Sequence, residues 1–219
     1  MSWFAWRTAT DQHVPRMWMR KLTYYVGASL DGFIAAPDGD YEFLMRYVDG
    51  EFLSFVCAEF PEALPTPARA AMGVDAPNKR FDTVLMGRGT YDPGLAMGLH
   101  SPYAHLRQIV FSRSLTESLD PAVEVTAADP LARIRELKQE DGLGIWLCGG
   151  GELAGRLLPE IDELIVKQYP VVVGSGVPLF RADFAPQAFT FLGSRSLGNG
   201  TNVLTFERAA GSTSAPTTG

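Results

Sequence analysis

Strand-like and helix-like segments alternate after residue 81, and this alternation constrains the fold more than any other feature. This region contains four apolar, strand-like runs: Thr83 to Met86, Gln108 to Phe111, Val123 to Thr126 and Gly144 to Cys148. Segments of helical character follow the first, third and fourth runs. Strands interleaved with helices are typical of a parallel sheet that is covered on both faces. The sequence therefore predicts an α/β fold with a mixed, mostly parallel central sheet flanked by helices on both faces.

Segments before this region supply two strands and a helix. Leu22 to Ala28 and Phe33 to Ala35 are short β-rich runs separated by a Ser-Leu-Asp-Gly turn. Apolar residues at helical spacing predict a helix over Asp49 to Phe60, which Pro61 ends. The proline-rich stretch from Pro61 to Lys79 is interpreted as a connector or lid, with a short helix around Ala68 to Met72.

Later segments predict one more helix and a closing hairpin. Asp129 can cap a helix over Pro130 to Asp141, since proline fits the first turn. Three strand candidates follow: Leu164 to Val173, Ala188 to Ser196 and Asn202 to Glu207. The last two are joined across a Gly-Asn-Gly turn, which predicts a C-terminal antiparallel hairpin.

Length and composition favour one domain. The 219 residues are 46% hydrophobic, which is enough to bury a full core. We expect a folded domain over 21–208, preceded by an N-terminal extension over 1–20. Residues 209–219 are small and polar, so we expect a disordered tail.

The net charge and the cysteine content limit the expected binding partners and the expected cellular compartment. The net charge of -6 provides no basic field for nucleic acid or anionic lipid, so neither a nucleic acid nor a membrane is expected as a partner. Cys57 and Cys148 lie in apolar stretches, which favours buried thiols in a reducing compartment. The first twenty residues contain no apolar stretch long enough for a signal peptide. A cytoplasmic location is expected.

Two strand ends continue into glycine-rich helix starts. In the first, Met86 is followed by Gly87, Arg88, Gly89 and Thr90; in the second, Cys148 is followed by Gly149, Gly150, Gly151, Glu152 and Leu153. Glycine permits close backbone approach, and a helix start offers unpaired N–H groups to an anion. Two such sites suit an extended dinucleotide. Taken singly, each motif is equally compatible with a tight strand-to-helix turn.

Other functional patterns are weak or missing. The spacing of Gly149, Gly151 and Gly155 does not fit the Rossmann dinucleotide fingerprint. The next strand also lacks the acidic residue at its end that would contact the ribose. The sequence lacks a serine-hydrolase elbow and a Walker A motif. His13, His100 and His105 lack metal-ligand neighbours, so no metal site is predicted.

Taken together, these motifs resemble the dihydrofolate-reductase-like reductases, and in particular the reductase domain of bacterial riboflavin biosynthesis and its stand-alone relatives. Five segments carry the resemblance in the family's order: Ala28 to Ala35, Met86 to Tyr91, Ile109 to Arg113, Cys148 to Leu153, and Pro178 to Phe180. The resemblance spans about residues 20 to 208. The sequence before it has no zinc deaminase ligands, so we do not expect the bifunctional riboflavin enzyme.

The resemblance implies NADPH as the cofactor and an NADPH-dependent reductase as the function. By the matching positions, Arg88 and Thr90 would hold the 2′-phosphate and pyrophosphate, while Ser112 and Arg113 would line the adenosine-phosphate side. Gly149 to Glu152 would meet the pyrophosphate and nicotinamide, and Ala28, Ile34 and Ala35 would border the nicotinamide. Two cations near a 2′-phosphate favour NADPH over NADH, because a dianion requires charge-assisted partners.

Reduction also requires a proton in addition to the hydride. Asp31, Asp49 and Glu51 are the candidate proton donors, and the sequence does not decide among them. Asp31 is also explained as a turn former. The substrate is expected to be a small heterocyclic molecule, pyrimidine-like or pterin-like, or a carbonyl compound. The alternative is a non-catalytic nucleotide-binding module or sensor on the same fold. A homodimer is compatible with the resemblance.

Overall fold

The computed structural model describes residues 19–209 and contains an eight-stranded sheet. Its strands are β1 (Leu22–Ala28), β3 (Phe81–Gly87), β4 (Arg107–Phe111), β5 (Val123–Thr126), β6 (Gly144–Gly149), β7 (Glu163–Gln168), β9 (Phe189–Ser196) and β10 (Asn202–Arg208). The spatial order is β5-β4-β3-β6-β1-β7-β10-β9. The first six strands in this order are parallel, and the β9–β10 hairpin adds two antiparallel pairings at one edge. This confirms the predicted sheet and hairpin.

Within residues 19–209, six α-helices and a small second sheet complete the fold. The helices are α1 (Glu42–Met45), α2 (Gly50–Glu59), α3 (Thr66–Ala71), α4 (Arg88–Ala96), α5 (Pro130–Leu137) and α6 (Gly151–Leu157). The second sheet pairs β2 (Phe33–Ala35) with β8 (Val177–Pro178) in antiparallel orientation. Side chains of α2 and α4 pack on one face of the large sheet, called here the α2 face, and those of α5 and α6 pack on the other, the α6 face.

Each face of the sheet carries its own core. On the α2 face, Phe52, Phe55 and Val56 of α2 pack with Tyr25 and Trp146. On the α6 face, the packed residues include Ile134, Leu137 and Leu157 of the helices with Leu85 and Leu147 of the strands. Burial of each such side chain contributes about 1.5–3 kcal/mol. The predicted coverage of both faces is confirmed.

Several predicted boundaries are wrong. The helix that begins at Pro130 ends at Leu137 and does not reach Asp141. The side chain of Lys138, the next residue, is buried and forms ion pairs with Glu160 and Asp162.

The strand predicted to extend to Val173 ends at Gln168, because Pro170 cannot donate to a ladder. The amide of Val171 instead bonds the carbonyl of Tyr169. Helix α1 was not predicted, and its four residues are too few to produce a periodic pattern.

Arg20 directly precedes the predicted domain of 21–208 and contacts it. Arg20 is buried, and its Nε donates to the carbonyl of Leu143 at 2.6 Å while its guanidinium pairs with Asp82. The remaining predictions for the extension and the tail lie outside the described residues. Within 19–209, no helix is long and apolar enough to span a membrane.

Candidate functional site

The topology of the sheet places a crevice between β3 and β6. Strand β3 connects through α4 to β4 on one side of it, whereas β6 connects through α6 to β7 on the other side. The two connecting helices therefore lie on opposite faces of the sheet. In open α/β sheets, ligands bind beyond the carboxyl ends of the strands at such a divergence point. The crevice between β3 and β6 is the expected ligand site of this fold.

The two glycine-rich turns meet in this crevice. Strands β3 and β6 are paired, with Met86 opposite Gly149. A Cβ built at Gly87 would lie 3.6 Å from the backbone nitrogen of Gly150, and one built at Gly149 would lie 3.1 Å from Oγ1 of Thr90. The peptide bond between Gly149 and Gly150 is cis. The prediction that both turns converge on one cleft is confirmed.

The cleft at these turns has a volume of about 840 Å³. That size lies within the usual range for ligand pockets, about 300–1,000 Å³. Its lining comes from the starts of α4 and α6, the ends of β4 and β5, and the segment that contains β8. Four arginines and two acids are among the lining residues: Arg88, Arg113, Arg156, Arg181, Asp129 and Glu152. The cleft is therefore locally cationic although the chain carries a net charge of -6.

The arginines of the cleft are held by exposed contacts. Arg88 pairs with Asp92 of the same helix, and its Nη1 lies 3.4 Å from Oγ of Ser114. Arg113 is 80% exposed, and its guanidinium lies 3.9 Å from the carboxylate of Glu152. Exposed pairs of this kind contribute about 0–1 kcal/mol, so they yield readily to an anionic ligand. The side chains can reorient toward a phosphate.

The start of α6 is fixed by the segment that follows β8. The amide of Arg181 donates to the carbonyl of Gly151 at 2.9 Å. A methyl group built at Gly151 would overlap the carbonyl oxygen of Pro178, and one built at Gly155 would overlap that of Arg181. Glycine at both positions therefore lets the Pro178 to Arg181 segment lie directly on α6. This contact brings Arg181 to the cleft.

Comparison with known proteins identifies the family. The family model for the RibD C-terminal domain matches residues 20–203. The chain belongs to the RibD C-terminal domain family. The resemblance stated from the sequence motifs is confirmed, and the fold is dihydrofolate-reductase-like.

Two relatives of this RibD C-terminal domain are proteins of Bacillus subtilis (strain 168). The uncharacterized protein YwjB is 34% identical over 163 residues, which cover 74% of the present chain and 83% of the relative. The uncharacterized protein YyaP is 26% identical over 174 residues, covering 74% of the chain and 80% of the relative. Both matches span most of the domain.

Two solved structures share the RibD C-terminal fold. A putative riboflavin biosynthesis protein from Shewanella sp. PV-4 superposes with a TM-score of 0.64 at 24% identity, covering 86% of this chain and 99% of that one. A diaminohydroxyphosphoribosylaminopyrimidine deaminase/5-amino-6-(5-phosphoribosylamino)uracil reductase from Thermotoga maritima superposes with a TM-score of 0.56 at 17% identity, covering 87% of this chain and 57% of that one. Family membership supports a reductase-like role for the domain.

Most of the predicted cofactor residues lie together in the cleft of this RibD C-terminal domain. The predicted residues that line it are Gly87, Arg88, Thr90, Ser112, Arg113, Gly150, Gly151, Glu152 and Leu153. Ser112 is buried, and its Oγ accepts from the amides of Ser114 and Leu115 at 3.2 and 2.8 Å. This bonding orders the loop after β4, from which Arg113 projects.

Five predicted cofactor residues lie outside the lining: Ala28, Ile34, Ala35, Cys148 and Gly149. Ala28 is buried and its carbonyl accepts from the amide of Tyr169, while Ile34 packs against the α6-face core. Ala35 is buried and pairs with Val177. The side chain of Cys148 packs against the α2-face core. The cofactor roles of these residues stay predictions.

Each of the three candidate acids binds backbone amides instead of lining the cleft. Asp49 caps α2 by accepting from the amide of Phe52 at 2.8 Å. Glu51 accepts from the amide of Gly198 at 2.9 Å. Asp31 accepts from Ser29 Oγ at 2.6 Å and from Gly174 at 2.7 Å, and these hydrogen bonds lower its pKa. The structure thus explains all three carboxylates as parts of turns and caps.

Sequence reasoning missed several residues of the cleft. Arg156 lies one helical turn after Glu152 in α6, and their side chains are 3.5 Å apart. Arg181 directly follows the Pro-Leu-Phe motif, and the Thr126 to Pro130 segment joins β5 to α5. Arg156 was detectable from its spacing of four residues after Glu152 in the helix that follows the Gly149 turn. The positions of Arg181 and the Thr126 to Pro130 segment depend on how distant segments pack.

Proposed function

We propose that this protein is an NADPH-dependent reductase that transfers hydride to a C=N or C=O group of a small heterocyclic or carbonyl substrate. The observation that carries the proposal is the junction of the two glycine turns, from β3 and β6, in one arginine-lined cleft. Membership of a family with reductase relatives supports the same reaction class.

The residues of the cleft fit a phosphorylated dinucleotide. Bare backbone at Gly87 and Gly150 permits close approach of a pyrophosphate, and the cleft is long enough to join these turns to the loop after β4. Arg88 and Arg113 lie toward that loop, where a 2′-phosphate would require charge-assisted partners. Bound there, NADPH would supply the hydride.

The protein's own contribution is positioning. Thr90 lies against the Gly149 turn and places a hydroxyl beside the bare backbone. Arg88 and Arg113 would orient the adenosine end, while the Gly149 to Gly151 turn would orient the other end. Holding both reactants in a fixed geometry lowers the entropic part of the barrier.

A titration with NADPH and NADH tests the cofactor assignment. We expect NADPH to bind more tightly than NADH, because NADPH carries the additional phosphate. Replacing Arg88 by alanine should weaken NADPH binding about tenfold, the effect of losing one charge-assisted hydrogen bond, and change NADH binding little. Fluorescence of the reduced nicotinamide gives both dissociation constants.

Arg135→Ala is the matched control for Arg88→Ala. Arg135 is an exposed arginine of α5 that pairs with Glu160 and does not line the cleft. Its removal changes the net charge equally and should leave NADPH affinity unchanged. Equal affinities of the wild type for NADPH and NADH, or equal losses in both variants, would contradict the assignment of Arg88.

A nucleotide-binding module without turnover is the second candidate. The structural engagement of Asp31, Asp49 and Glu51 favours it, because none of these acids is available in the cleft. Such a protein should bind NADPH yet leave it unoxidised with pterin, flavin-precursor and aldehyde substrates. Measurable oxidation of NADPH with any of them would eliminate this candidate.

A further inference from the structure

Lys167 is a partly buried lysine whose ammonium contacts an aromatic ring and no oxygen in the described residues. Its Nζ lies 4.0 Å from the centroid of the Tyr25 ring. The other three lysines of the chain have oxygen partners: Lys21 with Glu207, Lys79 with the carbonyl of Ala58, and Lys138 with Glu160 and Asp162. An ammonium removed from water without a carboxylate costs free energy, which points to a functional role.

The location of Lys167 connects it with the Gly149 turn. Lys167 of β7 lies opposite Gly27 of β1, and both residues face α2 with Tyr25, two residues earlier in β1. The ring of Tyr169 fills the space where a side chain of Gly27 would lie, and the ammonium of Lys167 lies over the ring of Tyr25 in the same strand. Strand β1 pairs with β6, and Cys148, which directly precedes Gly149 in β6, packs in the same core as Tyr25. The ammonium therefore lies on the face of the sheet from which Cys148 leads into the Gly149 turn.

Among the described residues, no carboxylate pairs with the ammonium of Lys167. The titratable groups around it are Tyr25 of β1, Cys148 of β6, Cys57 of α2, and Tyr103 and Tyr169 of the flanking loops. The charged groups nearby are Arg195 of β9 and, beyond Tyr25, Arg80 and the buried Glu62. The other α2 residues packed in this core are apolar. Burial lowers the pKa of Lys167 to about 8, an effect that Cys148 partly opposes, and burial raises the pKa of Cys148 to about 11. At neutral pH the thiol is uncharged and Lys167 is mostly protonated.

We propose that Lys167 is the proton donor of the reduction, an inference that rests on the proposed function. If bound NADPH supplied hydride to the carbon of the C=N or C=O group, the π-electron pair would move to the nitrogen or oxygen, which would then need a proton. Lys167 gives that atom one proton from Nζ, so that an N–H bond of the ammonium breaks and a new N–H or O–H bond forms. The neutral amine then regains a proton from water.

Two features of the α2 face support this role. The hydroxyl of Tyr25 is buried and has no hydrogen-bond partner among the described residues, so it is available to a polar group of a substrate. A general acid works best when its pKa lies near the working pH. Burial brings the pKa of Lys167 down toward neutral pH, whereas it raises the pKa of the buried tyrosines away from neutral pH. Substrate would therefore lie on the α2 side of the Gly149 turn.

The pH dependence of chemical labelling at Lys167 tests the environment of its amine, and this measurement does not require enzymatic activity. Reductive methylation followed by peptide mass spectrometry resolves the four lysines separately. We expect half-maximal reactivity of Lys167 near pH 8, whereas Lys21, which is 61% exposed, should follow the ordinary lysine pKa of about 10.4. Identical midpoints for the two lysines would overturn the proposal.

Kinetics of Lys167→Met test the proton transfer itself. The probes are 5-amino-6-(5-phosphoribosylamino)uracil, dihydrofolate and 4-nitrobenzaldehyde. We expect kcat to fall about 100-fold or more, the usual contribution of a general acid, with the NADPH dissociation constant unchanged. The wild-type rate should decline as pH rises through about 8, and this limb should be absent in the variant. Lys167→Arg should not restore kcat, because a guanidinium does not release its proton.

The controls separate this proposal from the proposed function. Lys21→Met removes an exposed lysine and should keep both kcat and NADPH affinity. Failure of the wild type to bind NADPH would refute the cofactor assignment. Normal NADPH binding with an unchanged kcat in Lys167→Met would refute only the role of Lys167. Binding without oxidation of NADPH by any probe would also overturn it, in favour of the nucleotide-binding module.

Discussion

Two groups of glycines surround the cleft, and they differ in what lies where a side chain would be. Gly151 and Gly155 of α6 are buried against the backbone carbonyls of Pro178 and Arg181, with no room for a methyl group. At Gly87 the nearest atoms to an added Cβ are 3.6 to 3.8 Å away, which is ordinary contact distance, and Gly150 has comparable room. The first group is required by packing, whereas the second leaves open backbone at the cleft.

This difference shows that one glycine-rich motif serves two purposes. The run Gly149 to Gly151 contains residues of both kinds. A Cβ at Gly150 would lie 3.6 Å from Oγ1 of Thr90, an ordinary contact, whereas a Cβ at Gly151 would overlap the carbonyl oxygen of Pro178. A substitution at a packing glycine should act on folding. A substitution at an open glycine should act on ligand binding and leave folding nearly unchanged.

The largest expected effect is that of Gly155→Ala. Its methyl group would meet the carbonyl of Arg181, and since this is backbone, the Pro178 to Arg181 segment would have to move. Such overpacking should lower the free energy of unfolding by about 3 kcal/mol. Urea denaturation measures this change.

Gly89→Ala is the matched control for Gly155→Ala. Gly89 is also helical, and an added Cβ there would have no atom within 4 Å. Because alanine restricts the unfolded chain, this variant should be more stable by about 0.5–1 kcal/mol. If Gly155→Ala were as stable as Gly89→Ala, the α6 contact would not require glycine.

Gly87→Ala should produce a smaller effect of a different kind. Residue 87 has φ -78° and ψ 164°, which alanine adopts without strain, so stability should change by no more than about 0.5 kcal/mol. The methyl group would occupy the junction of the two turns and should weaken NADPH binding about tenfold, or about 1.4 kcal/mol. Paired measurements of the melting temperature and the dissociation constant check both parts. A destabilised variant with normal affinity would place Gly87 in the packing group.

The sequence predicted the features that depend on local pattern. Strand–helix alternation gave the parallel part of the sheet, and the Gly-Asn-Gly turn gave the β9–β10 hairpin. The glycine turns identified most of the cleft because each turn carries its own signal, and a parallel sheet brings the ends of its strands to one edge.

The remaining features depend on contacts between distant segments. Nothing near Arg181 in the sequence indicates that its segment lies on α6, since that contact is set by Gly151 and Gly155 some 25 to 30 residues earlier. The environment of Lys167 depends in the same way on β1, β6 and β7 becoming neighbours. The acids Asp49 and Glu51 looked available in the sequence, but the caps and turns they bind become visible only in the fold.

The smallest expected effect concerns a third kind of glycine, one that forms a turn. Gly174 has φ +77° with open space around it, and its amide is held by the carboxylate of Asp31. The Ser29 hydroxyl and these amides lower the pKa of Asp31, so the stabilisation is present above the ordinary pKa and is lost as pH falls through the lowered value. Asp31→Asn should therefore reduce the melting temperature slightly at pH 7, and the difference from wild type should narrow toward pH 3.

The kinetics of Asp31→Asn separate the turn role from a catalytic one. Asparagine keeps an oxygen acceptor for the amides of Val173 and Gly174, so the loop should stay in place. If Asp31 only holds that loop, kcat should stay within about twofold of wild type, because a surface substitution usually changes the free energy of folding by no more than about 0.5 kcal/mol and the loop would keep its place. A loss of kcat comparable to that expected for Lys167→Met would instead make Asp31 the proton donor. The two variants together thus decide whether the proton comes from the turn after β1 or from the α2 face of the sheet.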